Sequence, residues 1–181
     1  MHPNSRHPSR RPAASFAPAL LLIAACSQPA PQPVTTEPTP NRAKADVPQA
    51  ILPDGFSVDL ELATTPEETT TGLMFRPLLL EDRGMLLLWE EERFATIWMM
   101  NVLVPLDIVF LDDSGQVVEL VADAQPCAAE PCPRFTPEIA SRAVLELAAG
   151  AISEHRIAVG EHIGFTKVAG YPVEDEAAVS D

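Results

Sequence analysis

Phe56, Val58, Leu60 and Leu62 alternate with Ser57, Asp59 and Glu61. That period of two predicts a strand with one buried face and one wet face. Thr65-Pro66-Glu67-Glu68 follows, with a capping threonine, proline at the first helical position and glutamate three residues on. It is a capping box, and it predicts a short helix ended by Gly72. Thr69, Thr70 and Thr71 are poor helix formers and hold the helix to one or two turns. The apolar run from Met85 to Trp89 predicts a buried strand, Glu90 to Arg93 a solvated loop, and Thr96 to Met100 a further strand. Leu106 to Leu111 and Gln116 to Ala122 flank Asp112-Asp113-Ser114-Gly115, the clearest hairpin in the chain. Val144 to Leu147 lies in another strand-like run, residues 148–155 hold a single helical turn, and His162 to Val168 form a closing strand. Many short strands separated by turn signals predict a mainly β fold. The expected architecture is a compact sandwich or barrel-like single domain with one or two short helices.

The pattern is different outside residues 50–171. Arg6, Arg10 and Arg11 form a basic segment, and Phe16 to Ala25 a short apolar one, ending in Ile23-Ala24-Ala25-Cys26. Ten residues at about 1.5 Å rise cover roughly half of a ~30 Å hydrocarbon core, too little to span it. Small residues before a single cysteine are the pattern of a bacterial lipoprotein signal peptide. Residues 1–25 are therefore expected to be removed and Cys26 to carry the lipid, with enough acyl chains for stable anchoring. Ser27, rather than an aspartate, follows the cysteine, which favours the outer membrane facing the periplasm. Residues 26–49 contain Pro29, Pro31, Pro33, Pro38, Pro40 and Pro48 among small and polar residues. With no apolar face to bury, they read as a tether reaching up to about 70 Å. Residues 172–181 form an acidic, frayed tail.

Removal of the leader leaves 9 basic against 26 acidic residues, a net charge of −17. Nucleic acid and anionic headgroups would be repelled by such a chain, so the membrane is expected to be reached through Cys26 alone. Cys127 and Cys132 remain, in Cys-Ala-Ala-Glu-Pro-Cys. In an oxidising compartment the simplest expectation is a disulfide closing a six-residue loop.

Gly72-Leu73-Met74-Phe75-Arg76, Gly84-Met85-Leu86-Leu87, Trp98-Met99-Met100-Asn101, Val104 to Phe110 and Val144 to Gly150 occur in this order. In order and spacing they resemble the domain-of-unknown-function family numbered 192, over about Phe56 to Phe165. The resemblance implies a compact, mainly β, sandwich-like fold and no established activity. The family usually has an aromatic before the tryptophan, a lysine after the methionine and a threonine after the asparagine. Ile97, Met100 and Val102 take those places here, so no role can depend on the lysine.

Arg76, Asn101 and Asp107 are the polar members of otherwise apolar motifs. One reading is structural: Arg76 pairs with Asp107, and Asn101 satisfies backbone groups at the turn to Pro105. The other gathers them with Trp98 around a shallow pocket for a small polar or carbohydrate ligand. Leu106, Ile108 and Phe110 share one face of their strand, so Asp107 lies opposite them and needs a cation or donor if that face is covered. Glu146 and Asp107 form a candidate carboxylate pair for an enzyme acting on envelope carbohydrate. Met74, Met85, Met99 and Met100 are candidate Cu(I) ligands or core filler. No metal-ligand spacing, catalytic triad or cofactor signature is present. The leading expectation is a lipid-anchored envelope protein with a non-catalytic ligand-binding β domain, in an oligomeric state that sequence does not set.

Overall fold

The computed structural model describes residues 47–172. The expected leader, lipidated Cys26, most of the tether and nearly all of the acidic tail lie outside the described residues. Nine strands and two short helices follow in chain order. They are β1 (Gln49–Ile51), β2 (Ser57–Ala63), α1 (Pro66–Thr71), β3 (Arg83–Arg93), β4 (Ile97–Trp98) and β5 (Leu106–Leu111). The remainder are β6 (Val117–Ala124), β7 (Arg134–Phe135), β8 (Ser141–Ala148), α2 (Ala151–Glu154) and β9 (Gly164–Thr166). The fold is mainly β, as the alternation predicts.

Seven strands form one sheet in the order β6-β5-β8-β3-β2-β1-β9, and β4 with β7 form a second, two-stranded sheet. The large sheet curls into a half-barrel. Val117 donates its N–H to Glu161, and Ile163 donates to Gly115, so the start of β6 meets the residues just before β9. Inside the curl lie Leu60, Leu86, Val109, Leu111, Val117, Leu145, Leu147 and Ile163. The opposite face carries Ala63, Met85, Leu87, Ile108, Phe110 and Val144, covered by Leu73, Ile97, Met99 and Val102 from the connecting segments. With both faces of the central strands covered, β5 is buried at every position. Three of the four candidate copper ligands, Met74, Met85 and Met99, fill or border this second apolar cluster.

The only parallel pairing among the named strands joins β2 to β3, across a connection that contains α1. The capping box is complete: Thr65 Oγ1 accepts from Glu68 N–H at 3.2 Å, and Glu68 Oε2 accepts from Thr65 N–H at 3.0 Å. Gly84 brings β3 against β8, since a Cβ there would lie 2.9 Å from the Glu146 carbonyl oxygen. Any side chain would force the two strands apart. The hairpin from Leu111 to Val117 is held by Asp112 Oδ1, which accepts from the N–H groups of Ser114 and Gln116, both at 2.9 Å.

Three local expectations are corrected. Glu90 to Arg93 is not a loop; β3 continues through it, rejoining β8 at Arg93 opposite Ser141. The strand expected over Thr96 to Met100 shortens to Ile97–Trp98, with Met100 making an isolated bridge to Cys127. The expected wet face of β2 is interrupted at Asp59, which is buried. Arg83 Nη1 lies 3.0 Å from its carboxylate and Gln49 Nε2 donates to it at 2.7 Å. Those donors replace the water that the alternation implied.

Candidate functional site

The central strands place one carboxylate in an unusual position. Glu146 lies between Val144 and Ala148 on the face of β8 that carries the second apolar cluster. Its direct neighbours are Met85 on β3 and Ile108 on β5, neither of which offers a hydrogen bond. Glu146 is 5% exposed, and its Oε2 is the one buried side-chain N or O among the described residues without a hydrogen-bond partner. Burial pushes its pKa up to about 7, against a weaker opposing pull from the Arg76 guanidinium. Desolvation penalises the charged form, so the carboxyl is neutral for much of its population near neutrality.

Glu146 lines a groove of about 1020 Å³. Leu87, Leu73 and Val102 supply its apolar lining, and Thr65, Thr69, Thr70 and Thr71 of the α1 region line one side. Trp89 and the acidic run Glu90 to Glu92 come from β3, and Trp98 comes from β4. Gly72 also lines the groove, in a positive-φ conformation that glycine adopts without strain. A Cβ at Gly72 would sit 3.5 Å from Glu146 Oε2, so the glycine leaves the carboxylate open on that side. The indoles already attract cations: Arg93 lies 5.6 Å from the centroid of Trp89, and Arg134 lies 4.8 Å from that of Trp98.

A smaller cavity of about 350 Å³ shares Thr71 and Gly72 with the groove and is lined by Glu61 and Arg76. Arg76 binds Glu61 bidentately, with Nη1 to Oε1 and Nη2 to Oε2, the latter at 2.7 Å. The pair holds the Glu61 carboxyl below its ordinary range. The segment bearing Arg76 is fixed one residue earlier, where Phe75 N–H donates to the Asn101 carbonyl at 2.8 Å. Both residues have positive φ, 63° and 59°. Asparagine tolerates that conformation, whereas phenylalanine is strained in it and needs such an external hold.

The expected Arg76–Asp107 pair does not form. Asp107 is 1% exposed and lies on the other face of the sheet, in register with Leu147. Its donors are backbone groups: Asp123 N–H at 2.8 Å to Oδ1, and Gly150 and Ile152 N–H at 3.1 and 2.7 Å to Oδ2. The covered face does demand a partner for Asp107, but three main-chain donors supply it. Asp107 is therefore built into the start of α2 and stands apart from Arg76 and Trp98. The same register removes the Asp107–Glu146 pairing as a two-carboxylate site, because the side chains leave the sheet on opposite sides.

Of the four expected ligand residues, Trp98 lines the groove and Arg76 the adjoining cavity. Asn101 acts through its main chain, with its carbonyl on Phe75 and its N–H donating to Cys127 at 3.0 Å. That second bond ties it to the disulfide between Cys127 and Cys132, which closes as expected. Glu146, Trp89 and the threonines are the groove residues missing from the expected set. Glu146 carries a readable signal: it is the one charged residue inside Val144 to Ala148, a run with apolar residues on both strand faces.

A histidine–carboxylate contact lies elsewhere, where His155 Nδ1 meets Asp54 Oδ2 at 2.9 Å and the imidazole stacks on Phe56 at 4.4 Å. That arrangement anchors the turn before β2. Among the described residues, no group of three or more His, Cys, Asp or Glu side chains is placed to hold a metal ion.

Comparison with known proteins adds a family and a fold. A Novosphingobium aromaticivorans DSM 12444 protein of unknown function is 30% identical, with a TM-score of 0.59. The match covers 65% of this chain and 83% of that one. A Sinorhizobium meliloti 1021 protein described as a candidate transcription regulator is 28% identical, with the same TM-score, over 65% of this chain and 91% of its own. No curated protein matches the chain. The model of DUF192, described as "Uncharacterized ACR", matches residues 50–165, which spans the half-barrel from β1 into β9. The chain belongs to the DUF192 family.

Proposed function

We propose that this is a lipid-anchored envelope protein whose half-barrel domain binds a small polar ligand in the groove over Glu146. One observation carries the reading: a buried carboxylate oxygen with no protein partner lines a cavity of ligand size. An unsatisfied buried polar group costs about 1–3 kcal/mol, more when charged, and a ligand donor removes that cost. The surroundings fit such a ligand, with two indoles for stacking and threonine oxygens for hydroxyl groups. Arg76 and Asn101 support the site from outside, by fixing the Gly72–Arg76 segment beside it.

The anchoring half of the proposal rests on Ile23-Ala24-Ala25-Cys26 after the apolar segment. A regulator acting on DNA is disfavoured, because a charge of −17 on the processed chain repels phosphate. Catalysis on carbohydrate has one supporting observation, the neutral character of Glu146, which suits a general acid. It lacks the second carboxylate that Asp107 was expected to supply.

The test is a thermal-shift screen of sugars, amines and peptidoglycan fragments on the full chain in mild detergent. A ligand present at 100 times its Kd adds about 2.7 kcal/mol, a shift of several degrees. Loss of that shift in Glu146→Gln, with the parent fold retained, supports the groove. A screen without any stabilising compound, or a shift unchanged in Glu146→Gln, overturns it. For the anchor, Cys26→Ser is expected to remain unprocessed or to leave the detergent phase. Partitioning like the parent would refute lipidation at Cys26.

A further inference from the structure

The groove presents an acidic border and two threonine hydroxyls whose protons are already engaged. Thr69 Oγ1 donates to the Thr65 carbonyl at 3.0 Å and Thr70 Oγ1 to the Pro66 carbonyl at 2.6 Å. Those hydroxyl protons are committed to the helix, so the oxygens meet the groove as acceptors. The acidic run Glu90 to Glu92 borders the same space, against a single lining arginine, Arg93. Its guanidinium lies over Trp89. Arg76, the cation whose field reaches Glu146, is engaged with Glu61 and makes no hydrogen bond to Glu146. A carboxylate in this setting has a place for a cationic donor that the protein leaves unfilled, beside indole faces that already attract cations.

We infer that the groove takes a small hydroxylated primary amine, such as an amino sugar, with its ammonium group on the Glu146 carboxylate. This rests on the ligand-groove reading and names the ligand class. Hydroxyl groups of the ligand donate to the threonine oxygens, and the acidic border draws the cation in. Binding is proton-linked. The ligand arrives as R–NH3+, the Glu146 carboxyl releases its proton to solvent, and a carboxylate–ammonium pair remains. No covalent bond is made or broken apart from that O–H. The charged groups around Glu146 are Arg76 and Glu61, the Glu90 to Arg93 run of β3, and Glu67 and Glu68 of α1. Glu68 is held ionised by the N–H groups of Thr64 and Thr65 and stays charged through the relevant range.

The experiment is titration calorimetry of the full chain in mild detergent with glucosamine, glucose and N-acetylglucosamine. Two buffers of different ionisation enthalpy report proton release directly. Glucosamine is expected to bind at least tenfold more tightly than either neutral sugar, releasing a fraction of a proton at pH 7. Its affinity is expected to rise about tenfold between pH 5.5 and 7, as Glu146 ionises. Glu146→Gln should lose both the preference and the proton release. If that variant fails to fold, the two-buffer measurement on the parent chain still decides the matter. Neutral sugars binding as tightly as glucosamine, without proton release, would overturn the ammonium assignment and leave a polar-ligand groove standing. No heat from any of the three overturns the assignment, and a silent wider screen would then remove the groove reading as well.

Discussion

Asp107 and Glu146 sit one register step apart on adjacent strands, yet their side chains leave the sheet on opposite sides. Both are buried, at 1% and 5% exposure, and they differ in what meets them. Asp107 is closed by three main-chain N–H groups, whereas Glu146 keeps an oxygen without a partner. One carboxylate is structural, and the other faces a groove.

Replacing Asp107 by alanine takes the acceptor from three main-chain donors, two of them at the start of α2. The expected loss is about 1.5–3 kcal/mol of unfolding free energy, the range for hydrogen bonds to a charged group, since water reaches donors on the exposed Asp123 and Gly150. Urea unfolding measures it. A loss below ~1 kcal/mol would show that the donors find other acceptors.

Arg76→Ala breaks the pair with Glu61, whose side chains are 36% and 59% exposed. Such a pair contributes at most about 1 kcal/mol. Because Arg76 and Asp107 lie on separate sides of the sheet and share no partner, the double variant should be additive within about 0.5 kcal/mol. Coupling of 2 kcal/mol or more in the cycle, as an order of magnitude for a direct buried interaction, would restore the pair that the sequence suggested.

The domain's strands are legible because apolar spacing reports burial directly: β2, β5, β6 and β8 fall within a few residues of where alternation and apolar runs put them. The hairpin at Asp112 is legible through turn chemistry that acts within five residues. What cannot be read is which group answers a buried charge. The donors to Asp107 stand 16, 43 and 45 residues away and are backbone amides, which carry no residue identity to recognise. Arginine was the visible complement and the wrong one. Glu146 is legible as a buried acid, since Val144, Leu145, Leu147 and Ala148 surround it, but its missing partner belongs to the fold alone. Glu90 to Arg93 misleads for the opposite reason: four charged residues extend a strand whose end is exposed, where charge costs β-structure little.

The Cys127–Cys132 loop supports the backbone of Asn101 through the Asn101 N–H to Cys127 carbonyl bond. Unreduced mass spectrometry should find the two cysteine peptides joined and two hydrogens lighter than the thiol form. Closing a loop of this size constrains the unfolded chain by about 2 kcal/mol, so reduction should lower stability by a comparable amount. Two free thiols in freshly isolated protein would contradict the link.

Stability should depend on pH through Glu146 with a definite sign. The folded pKa is raised from 4.5 to about 7, so the folded state holds its proton more tightly than the unfolded state. The favourable contribution is complete below pH 4.5 and is lost as the pH rises through 7. Glu146→Gln removes the titration, so it should gain about 3 kcal/mol relative to the parent between pH 4.5 and pH 8. An offset between the two proteins that stays constant over this range would refute the shifted carboxyl.

The most direct measurement follows the Glu146 side-chain carboxyl by carbon-13 NMR in the full chain, assigned by its loss in Glu146→Gln. The expected titration midpoint lies near pH 7 in the free protein and falls by a unit or more when saturating glucosamine brings an ammonium ion to the carboxylate. A midpoint in the ordinary glutamate range near 4.5, unmoved by the amine, would show that water already serves Glu146 and that the groove holds no unfilled charge site.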